Sequence, residues 1–295
     1  MSESALEIRD LHTYFFTAAE LVKAVHGLSL RLERGTMLGL VGESGAGKTT
    51  LAHSIMRVVP PPGRVVRGET LLFGRDLQQL SEDELRRVRG KEIAMIVPNP
   101  RAELNPLLTI GTQLANVARA HLGLDKRAAR ERAAQMLVDV KIPDPARRVN
   151  AYPHELSGGM AQRVVIAMAL IGDPRVTISD DATSGLDVTV QAQVLDLALG
   201  LLREKQSATL MITRDLGIVA NYCDHVAVLY RGRVLESADV RSFFRNPRHP
   251  YSVELLEAFS YERRGATAVA PGAPYDAEEL ELREVAPGHL VRDVA

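Results

Sequence analysis

The stretch of sequence that decides the fold runs from residue 37 to residue 51 and reads MLGLVGESGAGKTTL. Residues 37–41 are mostly apolar and lead into a glycine, a pattern that predicts a short buried strand. The residues from Thr49 onward predict a helix, which the three prolines at 60–62 bring to an end. A glycine-rich turn therefore joins a strand directly to a helix.

That turn, GESGAGKT at residues 42–49, fits the phosphate-binding pattern G-x-x-x-x-G-K-[ST]. Its glycines let the backbone pass close to a phosphate, so that N–H groups and a helix N-terminus face the anion. In this pattern the lysine neutralises the β- and γ-phosphates and the following hydroxyl binds Mg²⁺. We predict that ATP is bound by Gly42, Glu43, Ser44, Gly45, Ala46, Gly47, Lys48, Thr49 and Thr50.

A phosphate-binding loop of this kind works with an acidic residue that also holds Mg²⁺. Residues 176–180 read VTISD, an apolar strand that ends in Asp180. We predict that Asp180 and Thr49 together bind the metal ion.

Further short apolar runs alternate with helical patterns on both sides of this strand. Residues 188–204 predict one of these helices, and residues 98–170 predict a helical insertion without strands. The other predicted strands cover residues 25–32, 71–73, 93–97, 210–213 and 226–229. Such alternation predicts an α/β fold with a largely parallel sheet. Beyond about Arg264 the chain, with Pro271, Pro274 and Pro287, predicts an extended or loosely packed tail.

The composition excludes several classes of protein. The 295 residues are 46% hydrophobic and 25% charged, with a formal net charge of −1, so no overall basic field indicates nucleic acid. Cys223 is the single cysteine, which excludes an internal disulfide framework and any multi-cysteine metal site. The longest apolar run, residues 164–171, is far shorter than the roughly 20 residues that span a bilayer.

Two further motifs give the chain a family resemblance. Residues 156–163 read LSGGMAQR about twenty residues before Asp180, and residues 184–187 read SGLD. With the phosphate-binding loop, these resemble the signature motif and D-loop of ATP-binding-cassette (ABC) ATPases over about residues 6–262. The resemblance implies a P-loop NTPase with a mainly parallel core sheet, an N-terminal antiparallel β subdomain and a helical subdomain at about 98–170. It also implies a nucleotide-binding domain at 1–262 and a C-terminal tail of the oligopeptide-transporter type at 263–295.

In ABC ATPases the signature closes over the γ-phosphate that a second subunit holds. The resemblance assigns this role here to Leu156, Ser157, Gly158, Gly159, Met160 and Asp187. Phe15 matches the aromatic residue that stacks on adenine in the family. Packing in the core of a strand is an equally good interpretation of Phe15.

Four segments resemble the oligopeptide, dipeptide and nickel importer branch of this family. They are NPRHPY at 246–251, VAPGH at 285–289, LNP at 104–106 and DVTVQAQ at 187–193. The resemblance implies a peripheral subunit at the cytoplasmic face of the membrane, with two transmembrane permease subunits and a second ATP-binding subunit. An extracytoplasmic solute-binding protein would act on it indirectly. Some members carry a C-terminal cysteine cluster, which this chain lacks, so we predict no iron–sulfur cluster.

Three positions depart from the family pattern, and all three surround the γ-phosphate. Asp181 stands where the family has the glutamate that polarises the attacking water, and Arg214 stands where it has a histidine. Pro98 replaces a glutamine that contacts Mg²⁺ and links the site to the permease. The remaining catalytic candidates are thus Asp181 and Arg214.

These departures leave two hypotheses about hydrolysis. In the first, the site binds ATP but is degenerate in hydrolysis, and the chain pairs with a different ATPase subunit. In the second, Asp181 and Arg214 suffice for hydrolysis, and the chain is an ordinary ATPase subunit. A regulatory nucleotide-binding pseudo-ATPase without a transport cycle is the alternative function. A soluble cassette ATPase acting on nucleic acid would favour a basic face, long coiled coils or tandem cassettes, and the sequence has none of these.

Overall fold

The computed structural model describes residues 4–263 and 281–292, with the backbone alone for 260–263. The chain divides into two compact units, one of Met1–Gln79 with Leu210–Ala295 and one of Leu80–Thr209. We describe each unit separately. No helix in the described part of the chain combines the length and apolar character needed to cross a membrane.

The first unit begins with an antiparallel sheet. Its four strands lie in the order β2-β1-β4-β5. Their bounds are Ser4–Phe16 (β1), Leu21–Glu33 (β2), Gly63–Leu72 (β4) and Arg75–Asp76 (β5). The buried side chains of Leu6 and Ile8 lie on one face of β1, because alternate residues of a strand point to one side, and the pairing register shifts before the buried Leu11. This sheet confirms the predicted N-terminal antiparallel subdomain.

The first unit also contains part of a larger sheet, in the strand order β11-β12-β10-β9-β3-β8. The bounds are Met37–Val41 (β3), Ala208–Ile212 (β8), His225–Tyr230 (β9), Arg233–Asp239 (β10), Leu282–Ala286 (β11) and His289–Arg292 (β12). Strand β8 begins in the second unit and ends in the first. β3 and β9 are parallel, with Val41 opposite Val228, whereas β9, β10, β12 and β11 are joined antiparallel.

The α-helices that the structure describes in the first unit are Lys48–Met56 (α1), Leu216–Tyr222 (α9), Val240–Arg245 (α10) and Pro250–Arg263 (α11). One apolar cluster joins three of them to the sheet. It contains Val41 of β3, Leu216 and Val219 of α9, and Phe243 of α10, and Tyr251 of α11 is fully buried within it. The core of this unit thus lies directly behind the end of β3.

The second unit is mainly helical. Its helices are Glu82–Val88 (α2), Pro100–Glu103 (α3), Ile110–Leu122 (α4), Lys126–Asp139 (α5), Pro145–Arg148 (α6), Gly158–Leu170 (α7) and Val188–Glu204 (α8). Strands Ile93–Ile96 (β6) and Val176–Asp180 (β7) pair in parallel. Residues 98–170, which are all described, form helices and turns without a strand, as predicted. Local side chains begin these helices, since Ser81, Thr109 and Asp125 each cap one through the backbone N–H three residues later.

The end of the chain corrects one prediction. Residues 282–292 form a β-hairpin instead of an extended tail, and β12 continues the sheet beside β10, with Glu236 opposite Val291. The hairpin is held because His289 and Arg292 are buried against β10, a long-range contact that sequence pattern does not reveal. Pro287 lies in its turn, whereas Pro271 and Pro274 fall outside the described residues.

Candidate functional site

The predicted phosphate-binding loop follows strand β3 in a tightly constrained path. Gly42, Gly45 and Gly47 have φ values of 151°, 83° and 104°, which residues other than glycine rarely adopt. A Cβ on Gly42 would lie 2.1 Å from the carbonyl oxygen of Leu229, and one on Gly47 would lie 2.1 Å from that of Ala24. A Cβ on Gly45 would meet no atom within 4 Å. The loop is therefore packed against backbone at both ends and open in its middle, as a cradle for a phosphate requires.

Lys48 is the first residue of α1 and its ammonium group lies over this cradle. Its Nζ donates to the carbonyl oxygens of Gly42 at 2.6 Å and Glu43 at 2.7 Å. The positive end of the α1 dipole points the same way, and Thr49 stands exposed at the start of the helix while Thr50 is half-buried. The donors, the dipole and the ammonium group fit a nucleoside triphosphate.

Phe15 lies near the end of β1, opposite Gly63 of β4. Thr13 of the same strand has its Oγ1 2.7 Å from Oγ of Ser54 in α1. The ring of Phe15 is half-buried over Gly63, where a Cβ would lie 2.6 Å from its Cε1 atom. Its place and partial exposure permit adenine stacking, and packing over Gly63 is also satisfied.

Arg214 follows strand β8 in the same unit as the loop. The backbone N–H of Thr213 donates to the carbonyl oxygen of Leu40 at 3.2 Å, two residues before Gly42. Asp215 then caps α9, with its Oδ1 accepting from the N–H of Gly217 at 2.7 Å. These bonds hold the exposed Arg214 at the end of β8, next to the strand that enters the loop.

The second unit contains the acidic pair. Asp180 ends β7 and is only 2% exposed, whereas Asp181 is half-buried and has a φ of 44°. Strands β6 and β7 are parallel, with Ile96 opposite Ser179. Pro98 comes after the end of β6 and Asp181 after the end of β7, so both lie at the same edge of this strand pair. A buried carboxylate at a strand end is an oxygen ligand of the type that Mg²⁺ prefers, and the exposed hydroxyl of Thr49 in the first unit is another. The chemistry of each side chain, taken by itself, fits the metal ion.

The signature and the D-loop come together in the second unit. Ser157 caps α7 by accepting from the N–H of Met160 at 3.3 Å, and Asp187 caps α8 by accepting from that of Val190 at 3.0 Å. A Cβ on Gly159 would lie 2.6 Å from Cγ1 of Val190, so only glycine fits there without movement. The turn that begins α7 thus packs on the first turn of α8.

Sequence reasoning missed Glu236, which joins the two C-terminal branch motifs. Its carboxylate, 0% exposed, accepts from the backbone N–H groups of Arg248 and His249, each at 2.9 Å, and lies 2.7 Å from Nε2 of His289. Burial lowers the pKa of His249, which the charge of Glu236 partly offsets. A single glutamate within a strand does not by itself predict a buried carboxylate that binds two distant segments.

Tyr251 links the same motif to the loop. Burial raises the pKa of its phenol, and the neighbouring carboxylate of Glu43 raises it further. Tyr251 also packs in one apolar cluster with Val41, the residue before Gly42, so the C-terminal motif lies close to the phosphate-binding loop within the first unit.

Comparison with known proteins agrees with this arrangement. A family model described as ABC transporter matches residues 25–184. The oligopeptide transport ATP-binding protein OppD of Bacillus subtilis strain 168 is 46% identical, over 92% of this chain and 77% of that protein. The dipeptide transport ATP-binding protein DppD of the same organism is 44% identical, over 86% of this chain and 76% of that protein.

Solved structures show the same fold. A dimeric bacterial ABC transporter cassette is 25% identical and matches with a TM-score of 0.71, over 80% of this chain and 99% of that one. The family match spans more than half of the chain and includes the loop, the signature and the acidic pair. This chain belongs to the ABC transporter family, as an ABC ATPase with the P-loop NTPase fold.

Proposed function

We propose that this chain is the ATP-binding subunit of a membrane importer for peptides. The observation that carries the proposal is its 46% identity, over 92% of its length, to a protein named for oligopeptide transport. The packing of both branch motifs around Glu236 supports the same assignment, because Arg248 and His249 of the motif at 246–251 and His289 of the motif at 285–289 bind one buried carboxylate. Nickel or a related small solute is the alternative cargo.

The binding half of the site is complete. Residues 42–50 would surround the phosphates of ATP, Phe15 would stack on the adenine, and Thr49 and Asp180 would supply ligands to Mg²⁺. When bound, the metal ion would neutralise charge between the β- and γ-phosphates. The open middle of the loop at Gly45 and the ammonium group of Lys48 support this assignment.

The hydrolytic half is weakened, and we assign slow turnover to it. Asp181 is one methylene shorter than glutamate, a retreat of roughly 1 Å or more, and a misplacement of that size can cost about a hundredfold in rate. Arg214 keeps a positive charge but cannot act as a neutral acceptor near pH 7. Pro98 has no side-chain ligand at all.

The half that serves a second subunit is intact. Ser157 and Asp187 cap their helices, and the N-terminus of α7 is free of acidic residues in its first turn. We assign the chain to a heterodimer with another ATP-binding subunit, bound at the cytoplasmic face of the membrane to two permease subunits. The helical segment at about 98–170 and the loop around Pro98 would transmit closure to those permeases. A solute-binding protein outside the cell would deliver the cargo.

The first test measures ATP affinity and MgATP turnover on one purified sample, beside the Lys48→Ala variant. We expect ATP binding that the variant weakens at least tenfold, because a charged phosphate contact is lost. Turnover should not exceed that of the variant. Turnover that Lys48→Ala abolishes would support an ordinary ATPase instead, and absence of binding would contradict the nucleotide site.

The second test uses the importer purified with its permeases and second ATPase subunit. Ser157→Arg should abolish turnover, because it places bulk and charge where this chain serves the partner's site. Asp181→Asn should leave most of it. Ser81→Arg is the matched control, since it removes the helix cap of α2 alone. Equal losses of turnover from Ser157→Arg and Asp181→Asn would contradict the proposal that the partner's site carries out most of the hydrolysis.

A third measurement tests the cargo. Turnover of the reconstituted importer should rise when the solute-binding protein carries a peptide. A rise with Ni²⁺-loaded but not with peptide-loaded protein would overturn the peptide assignment.

A further inference from the structure

Tyr251 is buried directly behind the entry to the phosphate-binding loop. The residue is 0% exposed and packs in the same apolar cluster as Val41, the last residue of β3. Its ring centroid lies 4.7 Å from that of Tyr230, the last residue of β9. The residue before Tyr230 is Leu229, whose carbonyl oxygen is the atom that a Cβ on Gly42 would meet at 2.1 Å. The ring of Tyr251 therefore belongs to the packing that fixes the first residue of the loop.

Two side chains act on the peptide unit that joins Gly42 to Glu43. Its carbonyl oxygen, which belongs to Gly42, accepts from Nζ of Lys48 at 2.6 Å. Its N–H belongs to Glu43 and faces the phenol of Tyr251. Burial and then the carboxylate of Glu43 raise the pKa of this phenol, whereas the backbone N–H of Glu43 lowers it, as an N–H directed at the phenol oxygen does. Because a trans peptide is planar, with its C=O and N–H on opposite sides, Tyr251 and Lys48 hold the same unit from its two sides.

The C-terminal motif in turn fixes Tyr251. Its backbone N–H donates to Nδ1 of His249 at 3.1 Å, and the N–H of His249 donates to the carboxylate of Glu236 at 2.9 Å. All three residues are buried. A buried residue whose backbone is held by hydrogen bonds has little freedom left to lose, so the hydroxyl of Tyr251 is in place before a nucleotide arrives.

We propose that Tyr251 is a positioning residue for ATP binding, which orients Lys48 through the peptide between Gly42 and Glu43. The inference rests on the proposed ATP site at residues 42–50. The hydroxyl of Tyr251 sets the plane of this peptide, and the plane sets where its carbonyl oxygen holds the ammonium group of Lys48. A lysine that is already held over the loop loses less freedom when ATP binds, so Tyr251 contributes to the affinity through Lys48.

Tyr251→Phe in the full-length chain tests the proposal, because it keeps the ring and removes only the hydroxyl. We expect the affinity for ATP, measured by equilibrium dialysis, to fall about threefold to tenfold, the effect of one hydrogen bond. Ser252→Ala is the matched control, since it removes another hydroxyl at the next position of α11. Ser252 is also 0% exposed, and its Oγ has no hydrogen-bond partner among the residues that the structure describes. The control should change the affinity less than twofold.

A second readout separates the positioning of Lys48 from a general loosening of the loop. In the Lys48→Ala chain, measured with millimolar ATP, the addition of Tyr251→Phe should change the affinity less than twofold, because the group through which Tyr251 acts is gone. A loss as large as that in the unaltered chain would overturn the proposal. Unchanged affinity in Tyr251→Phe, or an equal loss in Ser252→Ala, would also overturn it. Absence of ATP binding to the unaltered chain would contradict the proposed ATP site, and this inference with it.

Discussion

Asp181 occupies a backbone conformation, with φ at 44°, that aspartate and asparagine tolerate better than most residues. The N–H of Ser184 donates to its carbonyl oxygen at 2.9 Å and fixes this turn after β7. Aspartate is therefore compatible with the local backbone, but its carboxylate extends one methylene group less far than that of glutamate. At this position the backbone favours aspartate, whereas hydrolysis favours the longer side chain.

Lengthening that side chain should restore hydrolysis. In the assembled importer that carries Ser157→Arg, which inactivates the partner's site, we expect Asp181→Glu to raise MgATP turnover about tenfold to a hundredfold, because the carboxylate regains roughly 1 Å of reach. Steady-state phosphate release measures the change. Asp181→Asn, which has no base, should show no increase, and unchanged turnover in Asp181→Glu would indicate that the aspartate already suffices.

Asp187 combines a structural and a proposed functional role that two variants separate. Asp187→Ala removes the cap of α8 and should lower the free energy of unfolding by about 1 kcal/mol. Asp187→Asn keeps an acceptor for the N–H of Val190 and should cost far less. Urea denaturation measures both. If the two variants were equally destabilised, the cap would not explain the effect.

At the scale of elements, the turn between β9 and β10 holds the phosphate-binding loop. The N–H of Gly232 donates to the carbonyl oxygen of Ala46 at 2.8 Å, and its own carbonyl accepts from the N–H of His26 at 2.9 Å. Strand β2 comes equally close, since a Cβ on Gly232 would lie 2.7 Å from the carbonyl oxygen of Ala24. Two strands and a turn thus fix the back of the loop.

Gly232→Ala should weaken ATP binding and destabilise the fold, because the added methyl group meets backbone and disturbs the bond to Ala46. Gly288→Ala is the control: its φ of +69° resembles the +78° of Gly232, but nothing lies within 4 Å. The control should lower the free energy of unfolding by only roughly 1–2 kcal/mol, the cost of placing alanine in a left-handed backbone conformation. It should not lower the affinity for ATP. Equal effects of both variants would contradict the packing argument.

Elements with strong local signals were predicted closely. Strand 37–41 and helix 188–204 were predicted with their observed bounds. The strand predicted at residues 71–73 instead begins at Gly63. Pairing with β1 extends it through polar residues such as Arg64 and Arg67, whose pattern alone does not predict a strand.

At the scale of the whole molecule, Glu236 joins segments that are distant in sequence. It binds residues 248 and 249 and, through His289, the C-terminal hairpin. The Nδ1 atom of His249 accepts a hydrogen bond from the N–H of Tyr251 at 3.1 Å, so this nitrogen carries no proton in the folded chain. The packing behind the phosphate-binding loop depends on this buried group of charges.

Stability should therefore fall in mild acid. Burial lowers the pKa of His249 in the folded chain, so the unfolded chain binds more protons once the pH drops below its ordinary value of about 6.5. The free energy of unfolding should be smaller at pH 5.5 than at pH 7.5, and His249→Asn should reduce that difference. His154→Asn, at an exposed histidine, should leave it unchanged. An undiminished difference in His249→Asn would refute this origin.

The sequence by itself determined the parts that local chemistry dictates. Glycine spacing predicted the loop at 42–49, and the apolar pattern predicted the helix that begins at Val188, because such signals act within a few positions of the chain. The tertiary structure alone decided the C-terminal hairpin and the buried Glu236. Each of these depends on side chains dozens of residues apart, whose meeting is set by strand pairing and burial and leaves no pattern along the chain.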